Sequence, residues 1–159
     1  MKRILFLTGI LAISLTCQKE YKDIEDPGWE TEDPVNTITV MSYNVKYCSP
    51  LNSTTPDVDA VAQVISEAKP DLVFLQELDR NTTRSGKVDQ LALLSAKTNL
   101  PYTYYGKAID YQGGESGVGI LSRYSLSDPQ RYDLPRVDLG PGVYVSYRIL
   151  ITASITVNE

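Results

Sequence analysis

The sequence predicts an α/β domain in which helices pack on a mixed sheet. Three observations carry this. Strand-like and helix-like segments alternate along the first half, as strand, helix, strand, helix, and further strands follow. The apolar run from Leu72 to Leu75 has no alternation, which suits a central strand covered on both faces. Near the end, Ile149, Ile151, Ala153, Ile155 and Val157 alternate with Leu150, Thr152, Ser154 and Thr156, as in a half-buried strand with one polar face.

Each element has its own local warrant. "ITVMSYNV", residues 38–45, is rich in β-formers and reads as a strand ending near Asn44. "TTPDVDAVAQVISEAKPD" reads as a helix, with Thr55 as its cap, Pro56 in its first turn and Pro70 as its stop. Val58, Val61, Ala62, Ile65 and Ala68 recur on it at helical spacing. "DLVFLQE" is the second strand, ending at Glu77. A second helix is expected over residues 87–98, with Val88, Leu91, Ala92 and Leu94 inward. "YTYYGKAIDY" and "GVGILSRY" read as strands joined by a glycine-rich turn, "QGGES". A loop punctuated by proline and glycine leads to "RILITASITV", a last strand with no visible partner after it. A half-covered sheet of this kind exposes apolar surface, so low stability or aggregation is expected.

The first 36 residues differ in kind. Lys2 and Arg3 precede an almost wholly apolar stretch over residues 4–15, too short for a membrane span and suited to a signal-peptide core. Residues 1–16 are therefore read as a signal peptide. "SLTC" resembles a relaxed bacterial lipobox, which implies lipidation of Cys17 and a membrane-anchored lipoprotein in the periplasm or at the cell surface. The alternative is an ordinary secretory signal with an incidental cysteine. Residues 17–36 read as an acidic tether, and residues 18–36 hold seven acidic and two basic residues with no apolar periodicity. The domain proper, 37–159, holds eleven basic and thirteen acidic residues, so the chain's net charge of −5 belongs mostly to the tether. No basic nucleic-acid-binding face is evident.

There is no histidine, which excludes imidazole-based zinc sites and Ser–His or Cys–His catalysis by these residues. With Cys17 lipidated, Cys48 has no partner for an internal disulfide. The candidate chemistry lies in Asn44 and Glu77, each at the C-terminal end of a predicted strand, where α/β proteins commonly place their sites. A carboxylate beside a carboxamide is a hard-oxygen set suited to magnesium or manganese. Spacing alone leaves the plainer alternatives open, a turn asparagine and a solvated glutamate. Eleven tyrosines stand against two phenylalanines. Tyr102, Tyr104, Tyr105, Tyr111, Tyr144 and Tyr147 either line a groove for sugars or bases or are half-exposed strand residues.

"ITVMSYNV", "PDLVFLQELD" and "YGKAIDYQGGESGVGILSRYSL", in that order, resemble the endonuclease/exonuclease/phosphatase superfamily with the deoxyribonuclease I-like fold. "LQELDRNTTRSGKVDQ" looks like the form found in exported bacterial members. The resemblance covers roughly residues 38–157 and implies part of a four-layer α/β sandwich. It implies a divalent-metal-dependent phosphoester hydrolase (phosphodiesterase, nuclease or phosphatase) using Mg2+ or Mn2+. The substrate would be a nucleic acid, a sugar phosphate or a lipid head group. Glu77 matches the glutamate that binds the metal, Asn44 the asparagine near metal and phosphate, and Arg148 an arginine that contacts phosphate, although "SYR" stands where "EPR" is usual. Arg123 matches a further position with a structural salt bridge as the rival role. "GGESGVG" lacks the Gly-Lys-Ser/Thr end of a P-loop and reads as a β-turn. The Asn-Thr-His, Gly-Asp-x-Asn and Ser-Asp-His segments of the resemblance are absent. The expectation is the N-terminal portion of the domain, catalytically incomplete as this chain. The rival reading is a non-catalytic surface lipoprotein or binding module that keeps part of the fold.

Overall fold

The computed structural model describes residues 37–136, 140 and 147–157. The expected signal segment, the tether, Cys17 and Tyr144 lie outside them.

The elements, in chain order, are β1 (Val40–Asn44), α1 (Val58–Ala68), β2 (Leu72–Arg80), α2 (Gln90–Thr98), β3 (Tyr102–Tyr111), β4 (Gly114–Ser122), β5 (Leu126–Asp133) and β6 (Ile149–Ile155). A four-stranded sheet runs in the order β1-β2-β4-β3, and β5 and β6 form a second sheet of two. β1 lies parallel to β2, as a crossover through α1 requires, while β4 is antiparallel to both β2 and β3. The mixed α/β class is as expected.

One face of the larger sheet carries the core. Val73, Leu75, Leu78 and Leu121 from the sheet pack with Val61, Ala62 and Ile65 of α1 and Leu91 and Leu94 of α2. All are buried, and each Val, Leu or Ile among them contributes about 1.5–3 kcal/mol through removal from water. The other face receives the smaller sheet. Gly106 on β3 has no side chain because Ile149 and Ile151 of β6 occupy that space. The Arg131 Nε donates to the Lys107 carbonyl at 2.7 Å and ties the two sheets together. β6 alternates as expected, with Ile149, Ile151, Ala153 and Ile155 half-buried and Leu150, Thr152 and Ser154 exposed.

Several expectations need correction. β2 does not end at Glu77 but passes through a bulge and continues to Arg80. Nor is it covered on both faces, since Phe74 is 38% exposed and its neighbour across β1 is Ser42. α1 is capped by Asp57, whose carboxylate accepts from the Ala60 N–H at 2.9 Å, rather than by Thr55. Ala68 is exposed, not part of the buried stripe. α2 starts at Gln90 under an Asp89 cap, its buried residues are Gln90, Leu91 and Leu94, and Ala92 faces solvent. The turn between β3 and β4 is only Gln112-Gly113, both at positive φ (46° and 75°). That is the mirror-image turn that matches strand twist, and Gly114, Glu115 and Ser116 already belong to β4. β6 has a partner, β5, within a segment read as loop. Pro129 falls where the β5–β6 ladder is interrupted, between Ser127 and Gln130. Among the described residues, no helix is long and apolar enough to cross a membrane.

Candidate functional site

The site forms where two bulges flank one point on β4. On β2, Leu75 pairs with Gly119 and Leu78 with Gly117, so Gln76 and Glu77 together face Val118. On β3, Lys107 pairs with Gly117 and Ile109 with Ser116, leaving Ala108 unmatched. Bulges bend a strand and re-aim its side chains. Gly117 is required between them, because any Cβ there would run into the Gly106 carbonyl. In the β2 bulge Glu77 takes φ 58°, a left-handed conformation that costs a residue with a side chain of order 1 kcal/mol or more.

Glu77 is exposed, and Asn44 at the end of β1 meets it. The Asn44 Nδ2 donates to Glu77 Oε1 at 2.9 Å, and Asn44 Oδ1 accepts from the Lys46 N–H at 3.0 Å. Those two partners fix which way the carboxamide faces: its oxygen is committed to the turn and its nitrogen to the carboxylate. The second Glu77 oxygen makes no hydrogen bond among the described residues.

The turn after Asn44 is itself unusual. Lys46, Tyr47 and Cys48 all have positive φ (46°, 46° and 56°). Three consecutive left-handed residues persist only when their surroundings over-determine them. The Val45 N–H donates to the Gln76 carbonyl at 3.1 Å, the Asp57 N–H to the Cys48 carbonyl at 2.6 Å, and the Gln90 Nε2 to the Tyr47 carbonyl at 2.8 Å. Cys48 is buried, and burial first, then the nearby Asp79 and Asp57 carboxylates, push its thiol up to about 12.

Gln90 also links this turn to a buried polar cluster, since its Oε1 accepts from the Asp79 N–H at 2.9 Å. The Asp79 carboxylate is fully buried and accepts from Thr82 Oγ1 at 2.7 Å and from Arg84 Nε and Nη2 at 2.6 and 2.9 Å. Burial by itself would raise this carboxyl. The hydrogen bonds from Arg84, Thr82 and Ser116 and the Arg84 charge outweigh it and hold the group below the usual carboxylate range. The Arg84 guanidinium lies over the Tyr47 and Tyr111 rings, 4.0 and 4.4 Å from their centroids.

Asn44, Glu77 and Arg84 line one open cleft of about 550 Å3. Its walls include Asn44, Glu77, Arg84, Tyr147 and Arg148, with Gly117 and Val118 at the bulged strand. The three site residues read from the sequence within the described residues thus meet, from β1, β2 and the start of β6. Arg123 lies elsewhere, where its Nε pairs with Asp71 at 3.2 Å ahead of β2, the structural role weighed for it. Of the tyrosines, Tyr147 reaches the cleft wall and Tyr111 backs Arg84, whereas Tyr102 and Tyr104 line no part of the cleft. Arg84 was missed by sequence reasoning. Its signal was present in "LDRNTTRSGKVDQ", where a charged pair five residues apart surrounds small hydroxyl residues, but nothing local says that Asp79 is buried.

The donor set suits a hard cation. Glu77 supplies one free carboxylate oxygen at an exposed position, and no group of three or more Asp, Glu, Cys or His that could hold a metal occurs among the described residues. Magnesium, which keeps several waters and takes one or two carboxylates plus phosphate oxygens, fits such a site; a cation needing a full protein cage does not.

An α/β domain with a polar cleft at the bulged end of its central sheet is the class that fold and site define. The sequence matches the endonuclease/exonuclease/phosphatase family over residues 41–157, and the chain belongs to that family. Family members generally use divalent metals and act on phosphoesters. The fold is similar to that of an endonuclease/exonuclease/phosphatase from Beutenbergia cavernae DSM 12333, with TM-score 0.63 and 25% identity, over 76% of this chain and 34% of that one. It is also similar to an endonuclease/exonuclease/phosphatase family protein from Leptotrichia buccalis C-1013-b, with TM-score 0.53 and 15% identity, over 75% of this chain and 50% of that one. The chain therefore spans a third to a half of the length of these two neighbours. No curated protein matches the sequence.

Proposed function

We propose that this chain carries the metal- and phosphate-facing part of a Mg2+- or Mn2+-dependent phosphoester hydrolase acting on phosphodiesters or phosphomonoesters. The observation that carries the reading is convergence. Asn44, Glu77 and Arg148, separated by 33 and 71 positions in sequence, line one cleft. Glu77 is the metal ligand. A bound divalent cation would polarise a phosphoryl oxygen and stabilise the leaving group. Asn44 holds the Glu77 carboxylate through its Nδ2 and keeps a second amide hydrogen for a substrate oxygen. Arg148 supplies a planar pair of donors for phosphate. The sequence has no imidazole, so activation of the attacking water is not assigned to any of its residues.

The test is Mn2+ binding, followed by water-proton relaxation, together with hydrolysis of bis-p-nitrophenyl phosphate. Binding that disappears in Glu77→Ala supports the assignment, as does any turnover lost with it. A wild-type chain that binds no Mn2+, or binds it equally well without Glu77, overturns it. We also propose export by residues 1–16 and anchoring through lipidated Cys17, with residues 17–36 as spacer. The apolar stretch over residues 4–15 and its "SLTC" end support this. Radiolabelled palmitate that enters the wild-type chain and not Cys17→Ala is the expected result; equal labelling would refute it.

A further inference from the structure

We propose that Arg84 is a second phosphate-binding arginine of the cleft, held in place by Asp79 and by the rings of Tyr47 and Tyr111. The inference rests on the reading of the cleft given above and adds a residue to it.

To neutralise Asp79, an arginine needs only its two bonds to that carboxylate and no donor directed into a cleft. Asp79 is fully buried, but the Arg84 side chain is 28% exposed and forms part of the cleft wall with Glu77 and Arg148. Its Nε and Nη2 are taken by Asp79, and its Nη1 makes no hydrogen bond among the described residues. The guanidinium is thus gripped along one edge and offers donors at the other.

The grip is more elaborate than charge neutralisation requires. The Tyr47 and Tyr111 rings hold the guanidinium plane, and they come from the turn after β1 and from the end of β3. Tyr47 is fixed by the left-handed turn and by Gln90, which also ties down the Asp79 backbone. The Arg84 N–H donates to Gln112 Oε1 at 2.9 Å, so the backbone is held as well. A flexible arginine loses rotamer freedom when it binds an anion, and here that loss is already made in folding. A planar donor with an open edge, immobilised in the wall of the cleft that Glu77 and a second arginine also line, matches a phosphoryl group, whose oxygens accept from guanidinium donors. Within that reading, Arg84 approaches the anion from the turn that follows β2 and Arg148 from the residue just before β6.

Inorganic phosphate is the probe. The 15N-labelled full chain is titrated with phosphate in the presence of Mg2+, and Kd is taken from amide shifts. Replacing Arg84 alone leaves a buried carboxylate, so the main variant is Asp79→Asn combined with Arg84→Gln, which removes both charges together. Its phosphate Kd is expected to rise about tenfold or more, as for loss of a charge-assisted contact. Arg84→Lys keeps the charge beside Asp79 but loses the fork, and a smaller rise is expected; it also serves if the double variant does not fold. Phosphate Kd values within twofold of wild type in the folded variants, despite changed melting temperatures, would make Arg84 structural and overturn the proposal. Arg148→Gln separates the two readings. Weakened binding there with none in the Arg84 variants sinks only the role of Arg84, whereas a wild-type chain that binds no phosphate sinks both.

Discussion

Arg84→Leu makes a sharp test of the buried cluster, independent of any activity. In the wild type, the Asp79 carboxylate has no exposed side-chain surface and accepts from the Thr82 and Ser116 hydroxyls and twice from Arg84. The substitution leaves only the hydroxyls of Thr82 and Ser116 as partners, and an uncompensated buried charge. Breaking one side of a buried pair costs about 3–5 kcal/mol. With a urea slope of roughly 2 kcal/mol/M for a domain of this size, the unfolding midpoint at pH 7 should fall by about 1.5–2.5 M. The pH dependence carries a second signature. In the wild type the folded Asp79 carboxyl titrates below its unfolded value. Its contribution is therefore present above the unfolded value near 3.9 and is lost as pH falls through the depressed folded value. In Arg84→Leu, burial dominates and raises the folded carboxyl above the unfolded one. The charged form then costs stability at pH 7, and protonation relieves that cost. The gap between the two proteins should accordingly narrow as pH falls towards 4. Urea melts at pH 7 and pH 4.5 decide the matter. A gap below about 1 kcal/mol at pH 7, or one indifferent to pH, would refute the picture of a buried carboxylate held ionised by Arg84.

Three further outcomes follow from particular contacts. Glu77→Gly removes a side chain from a φ of 58°, so Mn2+ binding should vanish while thermal stability holds or rises by up to about 1 kcal/mol; a clear loss of stability would mean that Glu77 is there for the fold. Asp57→Ala should cost about 1 kcal/mol in chemical denaturation and Thr55→Ala close to nothing, because only Asp57 accepts from the first turn of α1; equal effects would contradict that cap. Cys48 is 1% exposed with its thiol pushed up to about 12, so a thiol reagent at pH 8 should leave it unlabelled in the native chain and label it in urea; fast native labelling would show the left-handed turn to be open.

Much of the domain was legible in the sequence because its signals are local. The α1 stripe of Val61, Ala62 and Ile65, the span of β3 and the alternation of β6 all follow from side-chain period, which depends on a few neighbours. The misreadings share a cause of another kind. Thr55 and Asp57 are both good caps by type, and only the course of the chain around Cys48 selects Asp57. β5 was hidden because its apolar side chains are few and Pro129 interrupts it, and only its pairing with β6 makes it a strand. The apolar run of β2 gave no hint that the strand continues past Glu77, since a bulge is a property of two strands and not of one.

By itself, the sequence determined the element types, the family resemblance and the identity of Asn44, Glu77 and Arg148 as site candidates. Tertiary structure alone decided where Glu77 points, because its orientation comes from Gln76 and Glu77 sharing one partner, Val118, on a strand about 40 positions away. It also decided that Asn44 turns its nitrogen to Glu77 and its oxygen to Lys46, and that Arg84 joins them. Periodicity and capping are settled within a turn or two of chain. Register, burial of a charge and the aim of a side chain are settled by partners that only folding brings near.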